Sequence, residues 1–353
     1  MAKQRLTWVD VTKGFLMILV VIGHYPGELD FPLSKYIYWF HMPAFFLLSG
    51  LFFKEVKTRA EAGDSILKRF MQLIVPYLFF LVAITAVRYG MEIGYGNTDL
   101  QWYLNDLWTL VVGGRFVRGA YGVFWFVTAL FAVFVLFTFM TRFFSRKVQI
   151  GLVALSYVVA HTESLFAQRV LDGDVVESAQ QIPLPWNVDV ALMALVYFAI
   201  GYYLKTFWME ISGKWLAAGA VTVAACLAFD AAGLFDYHLS MKFLRYDHFF
   251  LDLIIPVSCT VVVIGLFQRA AQKMPLNWLQ FIEKHSISIM YLHIFADIVL
   301  NDFFNYGLIG FTAIGLVLPI LVSVALEKFV PYGKIFLGGF RPRKKPGSAA
   351  MVR

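Results

Sequence analysis

Ionisable side chains stand at both ends of the apolar segment WVDVTKGFLMILVVIGH, which runs from Trp8 to His24. Asp10 and Lys13 lie near its start, and His24 ends it. At about 100° per residue, these side chains fall within roughly 60° of one another on a helix. Charged groups inside a membrane almost always face a protein interior or a water-filled cavity. The spacing therefore predicts a polar stripe that faces the middle of a helical bundle.

The predicted stripe connects two depths of the membrane. Lys13 and His24 are separated by a rise of about 16 Å at 1.5 Å per residue, which is about half of the hydrocarbon thickness. Asp10 and Lys13 therefore lie toward one side of the membrane, and His24 lies toward the other. The alternative is that Asp10 and Lys13 form a local structural pair and that His24 only caps the helix.

A second histidine, His41, follows in the apolar segment SKYIYWFHMPAFFLLSGLFFKE. The connecting loop is short, so the two helices are predicted to be antiparallel neighbours with His24 and His41 at similar depths. Paired histidines can transfer protons or attack an acyl carbonyl. Pro43 loosens the backbone beside His41, and the small residues Ser49 and Gly50 allow close helix approach or a narrow passage. We expect no metal, because the chain has no His-Glu-x-x-His motif and no Cys/His cluster.

The composition indicates that these helices cross a membrane. Of 353 residues, 60% are hydrophobic and only 15% are charged, whereas about 25% of a soluble protein is charged. We therefore predict an all-α integral membrane protein, with residues 1–335 forming a transmembrane bundle and residues 336–353 a disordered basic tail. About ten segments suit a span: 8–26, 35–53, 70–92, 121–141, 148–161, 187–205, 214–232, 249–268, 285–304 and 308–329.

The positions of the basic residues predict the topology. With both termini in the cytoplasm, 22 of the 30 Lys and Arg residues fall on the cytoplasmic side, as the positive-inside rule requires. Besides Lys13 within the first span, the exceptions are Lys35, Arg88, Arg115, Arg118, Arg169, Lys242 and Arg245. This distribution favours contact with membrane lipid and argues against nucleic-acid binding.

Several motifs, taken in order, resemble the membrane-bound acyltransferase-3 family. They are D-x-x-K-G with VVIGH, then FHMPAFFLLSG, then LKRFMQLIVPY, followed by WFVTAL at 125–130, PWNVDVALMALVYFAIGYYLK at 185–205 and SISIMYLH at 286–293. The pattern is most similar to the branch named for fucose 4-O-acetylases and related polysaccharide acetylases. The resemblance covers nearly the whole chain and the layout of about ten helices.

This resemblance implies a reaction and a location. Proteins of this kind take an acyl group, usually acetyl, from acyl-coenzyme A at the cytoplasmic side of the bacterial inner membrane. They pass it to a sugar hydroxyl on the outer side or on a lipid-linked glycan, and glycan-synthesis proteins are possible partners. The family's first helix carries a basic residue, often Arg, eleven positions before a histidine, and this spacing falls on Lys13 and His24. Lysine keeps the charge but loses the bidentate geometry that Arg offers to phosphate.

The residues and the resemblance together suggest roles for the polar side chains. His24 is expected to act as general base or transient acyl carrier, and His41 is expected to assist. Asp10 would set the charge state of Lys13, which would hold the thioester or a phosphate of acetyl-coenzyme A. The other expected donor contacts are Arg69, Ser49 and Arg142.

The acceptor is expected to meet aromatic, amide and carboxylate groups in the outer half of the bundle. A ring can stack on the apolar face of a sugar, while amides and carboxylates bind its hydroxyls. The candidates are Trp125, Asn187, Asp189, Asp252 and His293. Tryptophans at this depth are also common as interface anchors, and His293 also suits a structural hydrogen bond within the bundle.

Two other functions are consistent with parts of the pattern. A polysaccharide exporter, a flippase or a proton-coupled transporter would use the intramembrane charges as a relay. The chain shows no paired half-helix repeats of the kind that many carriers have. A structural partner in a glycan-synthesis complex is the third alternative, but it leaves the polar stripe without a purpose.

Overall fold

The computed structural model describes residues 6–27, 32–246, 248–301, 303–304 and 306–339, and within these ranges the chain is almost entirely helical. The last fourteen residues of the predicted tail, 340–353, lie outside the described residues. The helices are α1 (Thr7–Gly23), α2 (Leu33–Tyr38), α3 (His41–Leu51), α4 (Arg59–Gly94), α5 (Leu100–Val112), α6 (Trp125–Phe143), α7 (Arg146–Arg169), α8 (Val175–Gln180), α9 (Val190–Tyr203), α10 (Lys205–Met209), α11 (Gly213–Ala231), α12 (Leu251–Lys273), α13 (Asn277–Lys284), α14 (Ser286–Leu300), α15 (Leu308–Phe329) and α16 (Gly333–Phe336).

A small hairpin interrupts the helical pattern between α11 and α12. Strand β1 (Leu239–Ser240) pairs antiparallel with β2 (Arg245–Tyr246), and a short 3-10 helix, Met241–Phe243, forms the turn. Other short 3-10 helices cover Gly114–Phe116, Gly119–Tyr121 and Pro185–Asn187. Of these segments, the hairpin and the turn at Gly119–Tyr121 lie beside the histidines described below.

Seven helices of the described chain are long and apolar enough to cross a membrane: α4, α6, α7, α9, α11, α12 and α15, with the flanking 3-10 turns included for α6 and α9. The all-α membrane class is thereby confirmed. Each of the ten predicted segments coincides with helix, but α1 and α14 have 17 and 15 residues, which is below the length of an ordinary span. A count of ten spans with cytoplasmic termini stays a prediction.

Two predicted segments differ in detail from the structure. The segment 35–53 is two helices, because the chain leaves helical geometry at Phe40, where φ is −148°. Pro43 lies in the first turn of α3, where its missing N–H costs little, whereas a continuous helix would lose a hydrogen bond there. The segment 148–161 is too short, since α7 runs to Arg169. Its buried residues His161, Ser164 and Ala167 recur on one face and extend the packing of the helix.

Glycines bring the helices around the first span into close contact. α3 and α9 pack closely along much of their length. A Cβ at Gly50 would collide with the Phe198 backbone, and one at Gly201 would collide with the Leu47 backbone. The predicted close approach at Gly50 is therefore confirmed, because small residues let helix backbones meet.

Helix α1 lies in the interior of the bundle. It packs against α12, α13, α14 and α15 as well as α2 and α3. A Cβ at Gly14 would collide with the Leu279 carbonyl, so the α13 backbone lies directly on α1. Met17 and Val21 share the predicted stripe with Asp10 at about 100° per residue, and all three are buried, as a stripe that faces the interior requires. The central position of α1 places His24, which follows its last residue, among several other helices.

Candidate active site

A cavity of about 410 Å³ lies beside the C-terminal half of α1. Met17 and Val20 of α1 line it together with His24, and Met17 and His24 lie on the stripe predicted from the sequence. The walls come from α2, α3, α6, α14, the turn at Gly119–Gly122 and the β1–β2 hairpin. Further lining residues that matter below are Tyr38, His41, Arg118, Trp125 and Lys242. His24 and His41, which lie on different helices, therefore face one space.

The histidines share one hydrogen-bonding arrangement. Nδ1 of His24 lies 2.7 Å from the Val20 carbonyl oxygen, and Nδ1 of His41 lies 2.8 Å from that of Ile37. A carbonyl oxygen only accepts, so each Nδ1 carries a proton, and in the neutral ring each Nε2 holds a lone pair. Both imidazoles are thus fixed in the tautomer whose Nε2 can accept a proton or attack a carbonyl carbon.

Local helix geometry explains where the two rings lie. His24 follows the last residue of α1, and Val20 presents one of the carbonyls that a helix end leaves without a backbone donor. Ile37 belongs to the last turn of α2, and His41 begins α3 after the break. Each ring satisfies a carbonyl at a helix end, which holds the imidazole in place at little conformational cost.

Tyr38 connects the two histidines. Its hydroxyl lies 3.4 Å from Nε2 of His24, and its ring packs edge-to-face on His41 with 5.0 Å between ring centroids. On the other side, His293 of α14 packs edge-to-face on His24 at 5.1 Å. Nδ1 of His293 bonds the Ile289 carbonyl at 2.8 Å, and its buried Nε2 has no hydrogen-bond partner within the described residues. The sequence singled out these three histidines, and the structure brings them together.

Two cations line the same cavity. Nζ of Lys242, in the hairpin turn, donates to the carbonyls of Val117 at 2.7 Å and Gly122 at 3.0 Å. Only 8% of Lys242 is exposed. Burial, together with the nearby Arg118 guanidinium, lowers the pKa of Lys242 to about 7. Its ammonium is therefore close to the point where it loses its charge at neutral pH.

The predicted donor contacts lie away from this cavity. Asp10 and Lys13 are at the other end of α1, although Lys13 is only one turn, about 6 Å of rise, from the cavity residue Met17. Ser49 donates to the Phe45 carbonyl at 2.8 Å within its own helix. The Arg69 guanidinium lies 5.0 Å from the centroid of the Phe134 ring.

Arg142, in the last turn of α6, is the remaining predicted donor contact. Its guanidinium carbon lies 5.4 Å from the centroid of the Phe143 ring. Its Nε is buried with no hydrogen-bond partner in the described part of the chain. A buried guanidinium N–H of this kind is available to an anionic ligand.

Asn187 and Asp189 belong to a buried network centred on Arg115. The Arg115 side chain is fully buried and forms an ion pair with Asp189. Asn187 accepts the Arg115 backbone N–H at 2.6 Å and donates to the Lys242 carbonyl at 3.0 Å. Asn187 and its neighbour Trp186 hold positive φ angles of 53° and 58°, an uncommon conformation for residues other than glycine. The network thus supports the turn that carries Lys242, and its polar groups bond one another.

Asp252 lies in a second buried cluster. Its carboxylate accepts hydrogen bonds from the Tyr237 hydroxyl at 2.8 Å and the His248 backbone N–H at 3.0 Å, and it lies 3.1 Å from Nε2 of His161. Asp252 is fully buried and does not line the cavity. Of the predicted acceptor residues, Trp125 lines the cavity and His293 adjoins it, whereas Asn187, Asp189 and Asp252 lie elsewhere.

The sequence interpretation missed Tyr38, Arg118 and Lys242. Tyr38 stands one helical turn before His41, a spacing that would have placed it on the same side of the chain. Arg118 and Lys242 were noted only as exceptions to the charge distribution. Other exceptions also have specific partners: Lys35 pairs with Asp230, and Arg88 pairs with Asp106. Basic residues on the side opposite to the general bias were therefore the available signal.

The long apolar helices define a multi-pass membrane protein, and a cavity between its helices is lined by two histidines. A family model described as an acyltransferase domain matches residues 6–328. The chain therefore belongs to the acyltransferase-3 family.

Curated relatives match over part of their length. Nodulation protein NolL of Mesorhizobium japonicum is 32% identical over 158 residues, which cover 42% of this chain and 39% of that protein. Nodulation protein NolL of Sinorhizobium fredii is 31% identical over 144 residues, or 38% and 36% of the two chains. The chain thus spans less than two fifths of the length of each of these relatives in the matched regions. No solved structure matches the chain.

Proposed function

We propose that this protein is a membrane acyltransferase of the bacterial cytoplasmic membrane. It moves an acetyl group from acetyl-coenzyme A to a sugar hydroxyl of an extracytoplasmic or lipid-linked polysaccharide. One observation carries the proposal: His24 and His41, each fixed with a proton on Nδ1, line a single cavity. Membership of the acyltransferase-3 family supports acyl transfer as the reaction that these imidazoles perform.

In the proposed reaction, His24 handles the proton of the acceptor hydroxyl. As the hydroxyl oxygen attacks the thioester carbon, its proton moves to Nε2 of His24. The new carbon–oxygen bond forms, the carbon–sulfur bond breaks, and the thiolate of coenzyme A takes the proton from His24. The hydroxyl of Tyr38 lies 3.4 Å from the same Nε2 and would hold the ring in place. An imidazole suits both transfers because its pKa in water is near neutral.

The donor would reach the cavity from the Asp10 end of α1. Lys13, Arg69, Ser49 and Arg142 are the proposed contacts for coenzyme A. The buried and unbonded Nε of Arg142 suits a phosphate oxygen. Lys13 lies one helical turn from Met17, where the cavity begins on α1, so a pantetheine arm would need to pass only a short stretch of the bundle.

The direct test compares glycan from cells that contain the wild-type protein, a deletion, or the His24→Gln variant. We expect NMR to show sugar O-acetyl signals with the wild type only, while the amount of exported polymer stays the same. Intact acetylation, with polymer retained inside the deletion cells, would contradict the enzyme and support an exporter.

The direction of transfer needs a second test. In sealed vesicles of defined orientation, acetyl-coenzyme A supplied only at the face of Asp10 and Lys13 should acetylate an acceptor supplied only at the opposite face. Activity that requires both substrates on one face would contradict transfer across the membrane.

A further inference from the structure

The charges that line the histidine cavity are all of one sign. Arg118 and Lys242 are its charged lining residues, and no Asp or Glu of the described residues lines it. Neutral sugars are usually bound by carboxylates, which accept hydrogen bonds from sugar hydroxyls, and by amides, which both accept and donate them. A cavity that offers cations and lacks carboxylates is instead complementary to an anion.

Lys242 is the strongest indication of an anion site, because it is buried and pairs with no carboxylate of the described chain. Two of its three N–H donors bond the carbonyls of Val117 and Gly122. A buried ammonium without an opposite charge is costly, and a bound anion would remove that cost. Hydrogen bonds also hold the turn that carries Lys242 in place. The Asn187 amide donates to the Lys242 carbonyl and accepts the backbone N–H of the buried Arg115.

Arg118 is more exposed than Lys242, so its charge attracts an anion less strongly. Its guanidinium contacts the Gln180 side-chain oxygen at a long 3.5 Å and forms no ion pair within the described ranges. It lies close enough to Asp174 to help lower the pKa of that carboxyl, after the backbone N–H groups of Glu177 and Val176. Arg118 therefore retains donors that can turn toward the cavity.

We propose that Lys242 and Arg118 form an anion subsite, which binds a carboxylate or phosphate on the acceptor next to the hydroxyl that His24 serves. The assignment of this anion to the acceptor rests on the proposed function. The shared chemistry is an oxyanion, supplied either by an acidic sugar or by the phosphate of a lipid-linked sugar. The subsite would make the protein selective for charged acceptors over neutral ones.

Binding can be measured without any acyl transfer. The purified full-length protein is heated with D-glucuronate, D-glucuronamide, inorganic phosphate or coenzyme A at matched ionic strength, and the unfolding temperature is recorded over a range of concentrations. Glucuronamide has the same sugar ring as glucuronate but carries a neutral amide in place of the anionic carboxylate. We expect glucuronate or phosphate, but not glucuronamide, to raise the unfolding temperature.

Three variants identify the responsible charges. Lys242→Met should weaken binding of the anionic probe roughly 30-fold or more, because a buried partner is lost. Arg118→Met should weaken it roughly threefold, as for an exposed charge, and it keeps the proposal testable if Lys242→Met does not fold. Arg169→Met removes an exposed cation of α7 that is outside the cavity and should change nothing.

Binding of an anion at this subsite should weaken as the pH rises. Lys242 loses its charge as the pH rises through about 7, while a carboxylate with a pKa of about 4 stays ionised. Glucuronate should therefore bind more weakly at pH 8 than at pH 6, and Lys242→Met should remove most of this change. The other titratable groups facing the cavity are His24, His41 and Tyr38, and Arg118 also lines it.

Each outcome bears on the subsite. A response to glucuronate that depends on Lys242 and Arg118 supports it with a carboxylate as the source, and the same response to phosphate supports it with a phosphate. Equal responses to glucuronate and glucuronamide, or unchanged binding in both variants, would overturn it. Dependence of coenzyme A binding alone on these cations would also overturn it, because they would then serve the donor. None of these results depends on whether acyl transfer occurs.

Discussion

Two groups of histidines in this protein differ in what their polar atoms contact. His161 and Asp252 lie together with Tyr237 in a cluster where the carboxylate accepts several protein hydrogen bonds. His24 and His41 bond backbone carbonyls through Nδ1 and line a cavity of about 410 Å³. In the first group the polar atoms bond other atoms of the protein, and in the second the histidines line a space that another molecule can enter.

The difference shows that burial of an ionisable group does not by itself mark a reactive site. A carboxylate in a membrane segment costs free energy unless it is hydrogen-bonded, and Asp252 has its hydrogen-bond partners within the chain. Removing such a partner should cost stability. Removing a cavity histidine should cost the reaction and leave the fold intact.

The largest effect is expected for His24→Ala. Loss of a general base typically slows a reaction by about 10²–10⁴-fold, and the cavity can accommodate the smaller side chain. Acetyl transfer from acetyl-coenzyme A should fall by that factor, while the unfolding temperature and the amount of protein in the membrane change little. His24→Gln retains polarity and should be equally inactive, because an amide cannot accept and release the proton.

Retained activity in both His24 variants, with normal amounts of protein, would remove His24 from the mechanism. Loss of activity together with loss of folded protein would instead make His24 resemble Asp252, and the contrast between the two groups would disappear.

Asp252→Ala should produce the opposite pattern. The donors on Tyr237 and His248 would lose their acceptor, and breaking a buried charged interaction typically costs about 3–5 kcal/mol. We expect a lower unfolding temperature and less protein in the membrane, with nearly normal turnover per folded molecule. Asp172→Ala, which removes an exposed loop carboxylate, is the control. Inactive but fully stable Asp252→Ala would place Asp252 in the reaction.

The sequence predicted the histidines of the cavity better than the cluster around Asp252 for a physical reason. His24 and His41 belong to the first and second spans predicted from the sequence, which a short loop joins, so helical periodicity and span direction sufficed to bring them together. Cavity contacts from distant segments, such as Lys242 in a hairpin more than 200 residues from His41, depend on how the helices pack, which periodicity does not specify.

The same limit explains the different positions of Asn187, Asp189 and Asp252. Their expected depth in the bundle suggested proximity to a sugar, but depth gives no information on which way a helix face turns. Arg115, whose partner is Asp189, was visible in the sequence only as a basic residue outside the general charge bias. The break at Phe40 was partly predictable, since Pro43 marked the place where the backbone loosens.

Lys13 tests whether the cavity end and the opposite end of α1 act together. Lys13→Ala should raise the KM for acetyl-coenzyme A by roughly tenfold, as expected when a charge that contacts a phosphate or thioester is lost. Lys13→Arg keeps the charge and should stay within about threefold of the wild type. Asp10→Asn should be milder than Lys13→Ala, because it leaves the cation in place. An unchanged KM in Lys13→Ala would show that the Asp10 end serves structure only.

The smallest effect is expected for Tyr38→Phe, which removes one hydroxyl from the cavity and keeps the ring that packs on His41. The hydroxyl lies 3.4 Å from Nε2 of His24, a long contact that fits an orienting role and contributes about 0.5–1.5 kcal/mol as an ordinary hydrogen bond. We expect kcat to fall by roughly two- to tenfold, with little change in KM or unfolding temperature. Tyr25→Phe is the matched control, since Tyr25 follows His24 directly but packs on Phe311 outside the cavity lining. A loss of more than 100-fold in Tyr38→Phe would make the hydroxyl a proton donor in the reaction, and an unchanged kcat would leave His24 to be held by the Val20 carbonyl alone.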